Sequence, residues 1–186
     1  FLFNSLSRLP VFIDDAYIFY RYATNWAAGF GPVYNIGEWV EGFSSFLWTA
    51  LLAVGAWLSL DLEQLAPALG LILLSHLTSL LFPCSPLLWV AVPLSCSLSA
   101  GLAFYAVSGM DTLLFTTVLL LATDAACSSI LRPGKSGVPL LLTLLALVLV
   151  RVEGFLYALA LLGTLGILLI SGQAQLQRRA YVAVAA

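Results

Sequence analysis

From Ser44 onward the chain is made of apolar runs, each about 15 to 20 residues long and hydrophobic on every side. Helices built from such runs have no polar face to turn toward water. With 62% of its 186 residues hydrophobic and 9% charged, the chain carries more apolar surface than a soluble domain of this size buries internally. The pattern therefore predicts an all-α chain solvated by a lipid bilayer, a polytopic transmembrane helix bundle.

The runs predict membrane helices at 44–60, 65–82, 111–130, 137–150 and 153–170, with Trp48 and Trp57 as interface anchors near the two ends of the first. Residues 86–107 form a run long enough to span but interrupted by Pro93 and by the serines between Ser95 and Ser99. A broken pair of half-helices suits that interruption, since hydroxyls and protein neighbours can satisfy the freed backbone groups. Arg132 with Lys135, and Arg178 with Arg179, flank the last two complete helices and predict cytoplasmic loops there. Counting back, residues 4–43 fall outside if 86–107 dips in and returns; a full span would put them in the cytoplasm. The chain opens on Phe1 without a Met, and 180–186 reads as the start of a further helix, so the sequence is expected to be part of a longer protein.

Residues 4–43 differ in kind from the rest. They hold Arg8, Asp14, Asp15, Arg21, Glu38 and Glu41 among aromatics and glycines. Within them 15–28 fits a helix: Ala16, Phe19, Tyr20, Ala23, Trp26 and Ala27 recur at helical spacing, with Tyr17, Arg21, Thr24 and Asn25 opposite. Asp14 is placed to cap its start and Gly29 to end it. The aromatic side suits an amphipathic helix lying in the membrane interface. Gly29, Gly31-Pro32, Gly37 and Gly42 mark successive turns leading back to the bilayer.

The net charge of −2 and the lack of a large basic cluster exclude nucleic-acid binding. Cys84, Cys96 and Cys127 show no metal spacing and read as small packing residues. His76 stands mid-helix with no second ligand in view, and Asp124 is given no role. In the topology above, Asp14, Asp15, Glu41, Asp111, Arg151 and Glu153 all lie toward one side, at the ends of different segments, which points to a site there. Singly, each also reads as a solvated helix end. Asp14-Asp15 is the strongest candidate: two adjacent carboxylates set between Val11-Phe12-Ile13 and an aromatic helix are a costly way to make a cap. Such a pair can take a proton from an attacking hydroxyl or ligate Mg²⁺, Mn²⁺ or Ca²⁺, and the sequence does not choose among these cations. The forked donors of Arg151 suit a phosphate, or alternatively a simple ion pair with Glu153. Arg8 and Arg21 are weaker phosphate candidates.

Four ordered segments carry a family resemblance. Asp14-Asp15-Ala16-Tyr17-Ile18-Phe19-Tyr20-Arg21 and the stretch from Gly29 through Glu41-Gly42 to Trp48 resemble the first extracytoplasmic loop and second helix of GT-C type glycosyltransferases, in particular the bacterial arabinofuranosyltransferase-like branch. Ser108-Gly109-Met110-Asp111-Thr112 looks like that group's S-G-[ML]-E-T, with Asp111 in place of the usual Glu. Arg151-Val152-Glu153-Gly154 looks like its R-P-E-G, with Val152 in place of Pro.

The resemblance implies that 1–186 is the N-terminal part of one transmembrane glycosyltransferase domain, with 4–43 its first extracytoplasmic loop and 44–170 its membrane helices. It implies transfer of a sugar from a polyprenyl-phosphate carrier to a hydroxyl of a cell-envelope glycan, lipid or protein, outside the cytoplasmic membrane of a bacterium. It makes Asp14 the general base, has Asp15 orient the acceptor or hold a cation, and sets Arg151 on the departing phosphate. Arg21, Glu41, Asp111 and Glu153 are further substrate-binding candidates. Two rival readings stand beside it: a transporter or flippase for a lipid-linked substrate, and a non-catalytic assembly subunit.

Overall fold

A computed structural model describes residues 14–81, 100–131 and 136–171. Among them the chain is all-helical, with seven helices and no strand: α1 (Asp14–Ala27), α2 (Phe46–Trp57), α3 (Leu62–Leu81), α4 (Ala100–Val107), α5 (Thr112–Leu131), α6 (Val138–Val150) and α7 (Gly154–Ile170). Each expected helix is present within a few residues of its expected bounds. The Pro93 interruption, Arg8, Cys84, Cys96, Arg132, Lys135, Arg178, Arg179 and the helix start at 180–186 lie outside the described residues.

By length and composition α5 can cross a membrane by itself, whereas Phe46–Trp57, Leu62–Leu77, Val138–Val150 and Gly154–Ile170 are shorter apolar helices. On α6 and α7, Leu141, Leu142, Leu156, Ile167 and Ile170 are exposed. A helix apolar on all sides is at rest when buried in protein or lipid.

The helix ends follow from local chemistry. At the end of α1, Gly29 N–H donates to Trp26 O (3.0 Å) and Phe30 N–H to Asn25 O (3.1 Å), the paired bonds of a Schellman motif, with Gly29 at φ +88°. At the end of α2 the same pair recurs, Ser59 N–H to Ala56 O and Leu60 N–H to Gly55 O, but here a serine takes the left-handed position at φ +61°. Asp61 caps α3 through its Oδ1, which accepts the Glu63 N–H at 2.9 Å.

The chain divides into two compact units, one of residues through Phe43 with Trp48–Leu114, the other of Ser44–Leu47 and the residues from Phe115 on. In the first, α3 and α4 pack so closely that a Cβ at Gly70 would strike the Ala106 carbonyl oxygen. In the second, α6 and α7 form an antiparallel hairpin turning on Arg151-Val152-Glu153. A Cβ at Gly154 would meet the Leu147 carbonyl oxygen, so the last position of that turn admits only glycine.

Three expectations are corrected. Periodicity assigned one buried face to α1, but the helix buries two: Ala16, Phe19, Tyr20 and Ala23 on one side, Tyr22 and Asn25 on the other. Asn25, expected on the polar side, is buried because its amide satisfies two loop carbonyls. Trp48 is not an interface anchor; it is fully buried, its indole N–H drawn to the Gly109 carbonyl, while Trp57 is 71% exposed. Cys127 is an exposed free thiol rather than a packing residue.

Candidate functional site

The first turn of α1 presents Asp14 and Asp15, both exposed, where negative charge suits the positive end of the helix dipole. Val11, Phe12 and Ile13, expected to flank the pair on its other side, lie outside the described residues. Ile18, three and four residues further on, and Tyr22, seven and eight further on, continue the strip between the two carboxylates along the helix.

The opposite face of α1 docks onto the turn from Ser108 to Asp111. Gly109 sits at φ +78°, and a Cβ there would lie 3.1 Å from Ala16 Cβ and still closer to Tyr20 Oη. The turn is anchored from a third direction by Trp48 Nε1, which donates to Gly109 O at 3.1 Å. Ser108 Oγ accepts the Met110 N–H at 3.4 Å. Asp111 immediately precedes α5 and is fully buried in the turn. Two segments some ninety residues apart in the chain, both singled out from sequence, are thus brought into one packed unit.

The second buried face of α1 organises the loop that follows it. Asn25 Nδ2 donates to Val33 O (2.8 Å) and Tyr34 O (2.9 Å). Arg21 Nε donates to Tyr34 O at 3.1 Å, so its guanidinium braces the loop. Tyr22 Oη donates to Val40 O (2.7 Å) and accepts from Gly42 N–H (2.9 Å). Between helix and loop lies a recess of about 320 Å³. Glu41 is exposed and lines a neighbouring hollow with Trp39 and Phe43. Neither Tyr22 nor Asn25 had been singled out for this role; the only signal was an amide and a phenol placed three apart on a helix followed by a glycine-rich loop.

Glu63, at the start of α3, is a further acid that sequence reasoning missed. It accepts a hydrogen bond from the Tyr17 hydroxyl. Burial first, then the charge and hydrogen bond of Glu63, then the charge of Asp14 hold the Tyr17 phenol above its ordinary value. Tyr20 is pushed up as well, by burial foremost and then by Tyr17, Glu63 and Asp61. A phenol whose folded value is raised adds stability that is complete below its unfolded value, about 10, and is lost as pH rises through the folded value. Melting temperature should therefore fall as pH is taken above about 10. In Tyr20→Phe the fall should be shallower.

In the second unit, the Arg151 guanidinium carbon stands 5.6 Å from the centre of the Phe115 ring, whose edge in turn meets Tyr157. Arg151 is half-buried and extended; Glu153 is exposed and precedes α7, its carbonyl accepting from Leu156 and Tyr157. Asp14, Asp15, Arg21, Glu41 and Asp111 all belong to the first unit.

Among the described residues no group of three or more His, Cys, Asp or Glu side chains is placed to hold a metal ion.

Known proteins bear on the same question. Over 62 residues the chain is 47% identical to a terminal beta-(1->2)-arabinofuranosyltransferase of Mycobacterium tuberculosis. The matched stretch is 32% of this chain and 10% of that enzyme, so the chain spans about a tenth of the length of the curated relative it matches. No family model and no solved structure matches. The similarity is that of a partial glycosyltransferase relative, and it agrees with a resemblance to the arabinofuranosyltransferase-like branch.

Proposed function

We propose that this chain is the N-terminal part of a polytopic GT-C type glycosyltransferase in a bacterial cytoplasmic membrane. It moves a sugar, an arabinofuranose by analogy with the partial relative, from a polyprenyl-phosphate carrier to a hydroxyl of a cell-envelope glycan, lipid or protein on the extracytoplasmic side. The observation that carries this reading is the docking of the Asp14-Asp15 helix on the Ser108–Asp111 turn, two segments of the family resemblance that meet in one unit. The exposed apolar surface of α6 and α7 and the span-length α5 support the bilayer as its surroundings.

In this reading the acceptor oxygen attacks the anomeric carbon as the Asp14 carboxylate takes its proton. The bond from anomeric carbon to phosphate oxygen breaks on the opposite face, the configuration inverts, and polyprenyl phosphate leaves as the anion. The family resemblance assigns the stabilisation of that anion to Arg151. Asp15 orients the acceptor or would hold a divalent cation, which would supply neutralising charge to the reacting groups. Arg21 and Glu41 frame the acceptor side, Asp111 supports the turn on which α1 docks, and Glu153 supports the turn that carries Arg151.

Reconstitution of the full-length protein in liposomes with a polyprenyl-phosphoryl arabinofuranose and an arabinofuranosyl acceptor tests the proposal. A new glycosidic linkage and an equal amount of polyprenyl phosphate are expected. Movement of the intact carrier across the bilayer without cleavage would identify a flippase instead and overturn it.

A further inference from the structure

The recess between α1 and its loop has walls of a particular chemistry. Ile18 and Val40 supply aliphatic surface, Tyr22 and Tyr34 aromatic rings, and Asn35 and Glu38 the polar groups. At about 320 Å³ it falls at the small end of the range of ligand sites, which runs from about 300 to 1,000 Å³.

We infer that this recess is a subsite for one neutral sugar residue of a glycan acceptor, separate from the reacting hydroxyl. The inference rests on the glycosyltransferase reading and adds where the rest of the acceptor binds.

The floor is rigid. Tyr22 is only 1% exposed, fixed by its bonds to Val40 O and Gly42 N–H, and the Phe43 ring meets it edge-on with centroids 4.8 Å apart. Tyr34 is 45% exposed, its ring centre 5.8 Å from that of Tyr22 at 55°, and its backbone is held by Asn25 and Arg21. An aromatic ring fixed at its base and open to solvent suits the C–H face of a sugar ring, which is apolar where the hydroxyls are not.

The polar end is prearranged too. Asn35 Nδ2 donates to Glu38 Oε2 at 3.0 Å and Glu38 N–H to Asn35 O at 3.1 Å, so amide and carboxylate stand together with capacity left over. Vicinal hydroxyls, each both donor and acceptor, match an acceptor-rich carboxylate beside an amide. The same carboxylate repels a phosphate, so the donor's leaving group does not belong here, and a lipid tail would desolvate Asn35 and Glu38 without compensation.

The distance fits an oligosaccharide. Along α1, Ile18 and Tyr22 stand about 6 and 12 Å from Asp14 at 1.5 Å per residue, on the strip that begins between the two aspartates. A chain whose terminal hydroxyl reaches Asp14 can lay a preceding residue in the recess.

Saturation-transfer NMR and acceptor kinetics on the full-length protein, with a synthetic neutral arabinofuranosyl oligosaccharide, test this. Tyr34→Ala and Glu38→Gln should each raise the acceptor KM about tenfold, leave the donor KM within twofold, and weaken saturation transfer. Tyr34→Phe, which keeps the ring, should behave like the wild type. If wild type transfers sugar and neither variant shifts the acceptor KM, the subsite is overturned and the glycosyltransferase reading stands. If wild type binds the oligosaccharide through Tyr34 yet transfers nothing, the subsite stands and that reading fails. Equal loss of donor and acceptor binding, or preference for a lysine peptide over the neutral glycan, would also overturn the subsite.

Discussion

Asp14→Asn in the full-length protein should lower the rate of polyprenyl phosphate release by about a thousandfold, equivalent to about 4 kcal/mol of transition-state stabilisation, while the melting temperature stays put. The two halves of that expectation come from the same fact. Asp14 is exposed at the first turn of α1, so the isosteric amide leaves packing untouched and gives up only a favourable contact with the helix dipole, worth less than about 1 kcal/mol. An amide cannot take a proton from the acceptor hydroxyl, and the neighbouring carboxylate of Asp15 points about 100° away around the helix. Asp15→Asn should therefore cost less, through orientation. Initial rates at saturating donor and acceptor, measured with thermal unfolding on the same preparations, decide the matter. Undiminished release in Asp14→Asn removes it as the base.

Gly109→Ala should destabilise the first unit severely, by about 3 to 5 kcal/mol. Two costs add. Alanine at φ +78° carries the left-handed penalty of about 1 to 2 kcal/mol, and its methyl would press on Ala16 Cβ and overlap Tyr20 Oη. Neither side can yield easily, because Trp48 ties the turn from behind through the Gly109 carbonyl. Tyr20→Phe in the same chain should recover part of the loss, since it removes the overlapping oxygen. Alone it should stabilise by about 1 kcal/mol: Tyr20 Oη is buried with no hydrogen-bond partner among the described residues. The double-mutant cycle, followed by thermal unfolding, should show a coupling energy of at least about 1 kcal/mol. Additive effects would mean that α1 and the turn are not in contact through this pair.

Sequence made the helices legible, because each apolar run is bounded by a turn residue whose effect is local: Gly29 ends α1 and Asp61 starts α3 within the reach of a single turn. It made the first face of α1 legible for the same reason, since Ala16, Phe19, Tyr20 and Ala23 recur at a helical period. What it hid acts at a distance through groups that hydropathy scores as polar or as membrane anchors. Asn25 is polar by composition and buried by the two carbonyls it serves, eight and nine residues on. Trp48 has the composition of an interface anchor, but its partner is 61 residues away. Asp111 shares one side of the membrane with Asp14 when 86–107 dips in and returns, yet its burial in the turn emerges only from packing. Glu63 belonged to a helix end until its bond to Tyr17 set it beside the start of α1.

The way the loop is fastened separates its shape from its surface. Arg21, Tyr22 and Asn25 grip it through the backbone carbonyls of Val33, Tyr34 and Val40 and the amide of Gly42, groups that every residue but proline supplies in full. The side chains of Tyr34, Asn35 and Glu38 bear none of that grip. Related chains can thus exchange those three positions and acquire a different preference for what they hold, without having to refold the loop. Divergence among relatives should be concentrated there, while the three residues of the helix stay as they are.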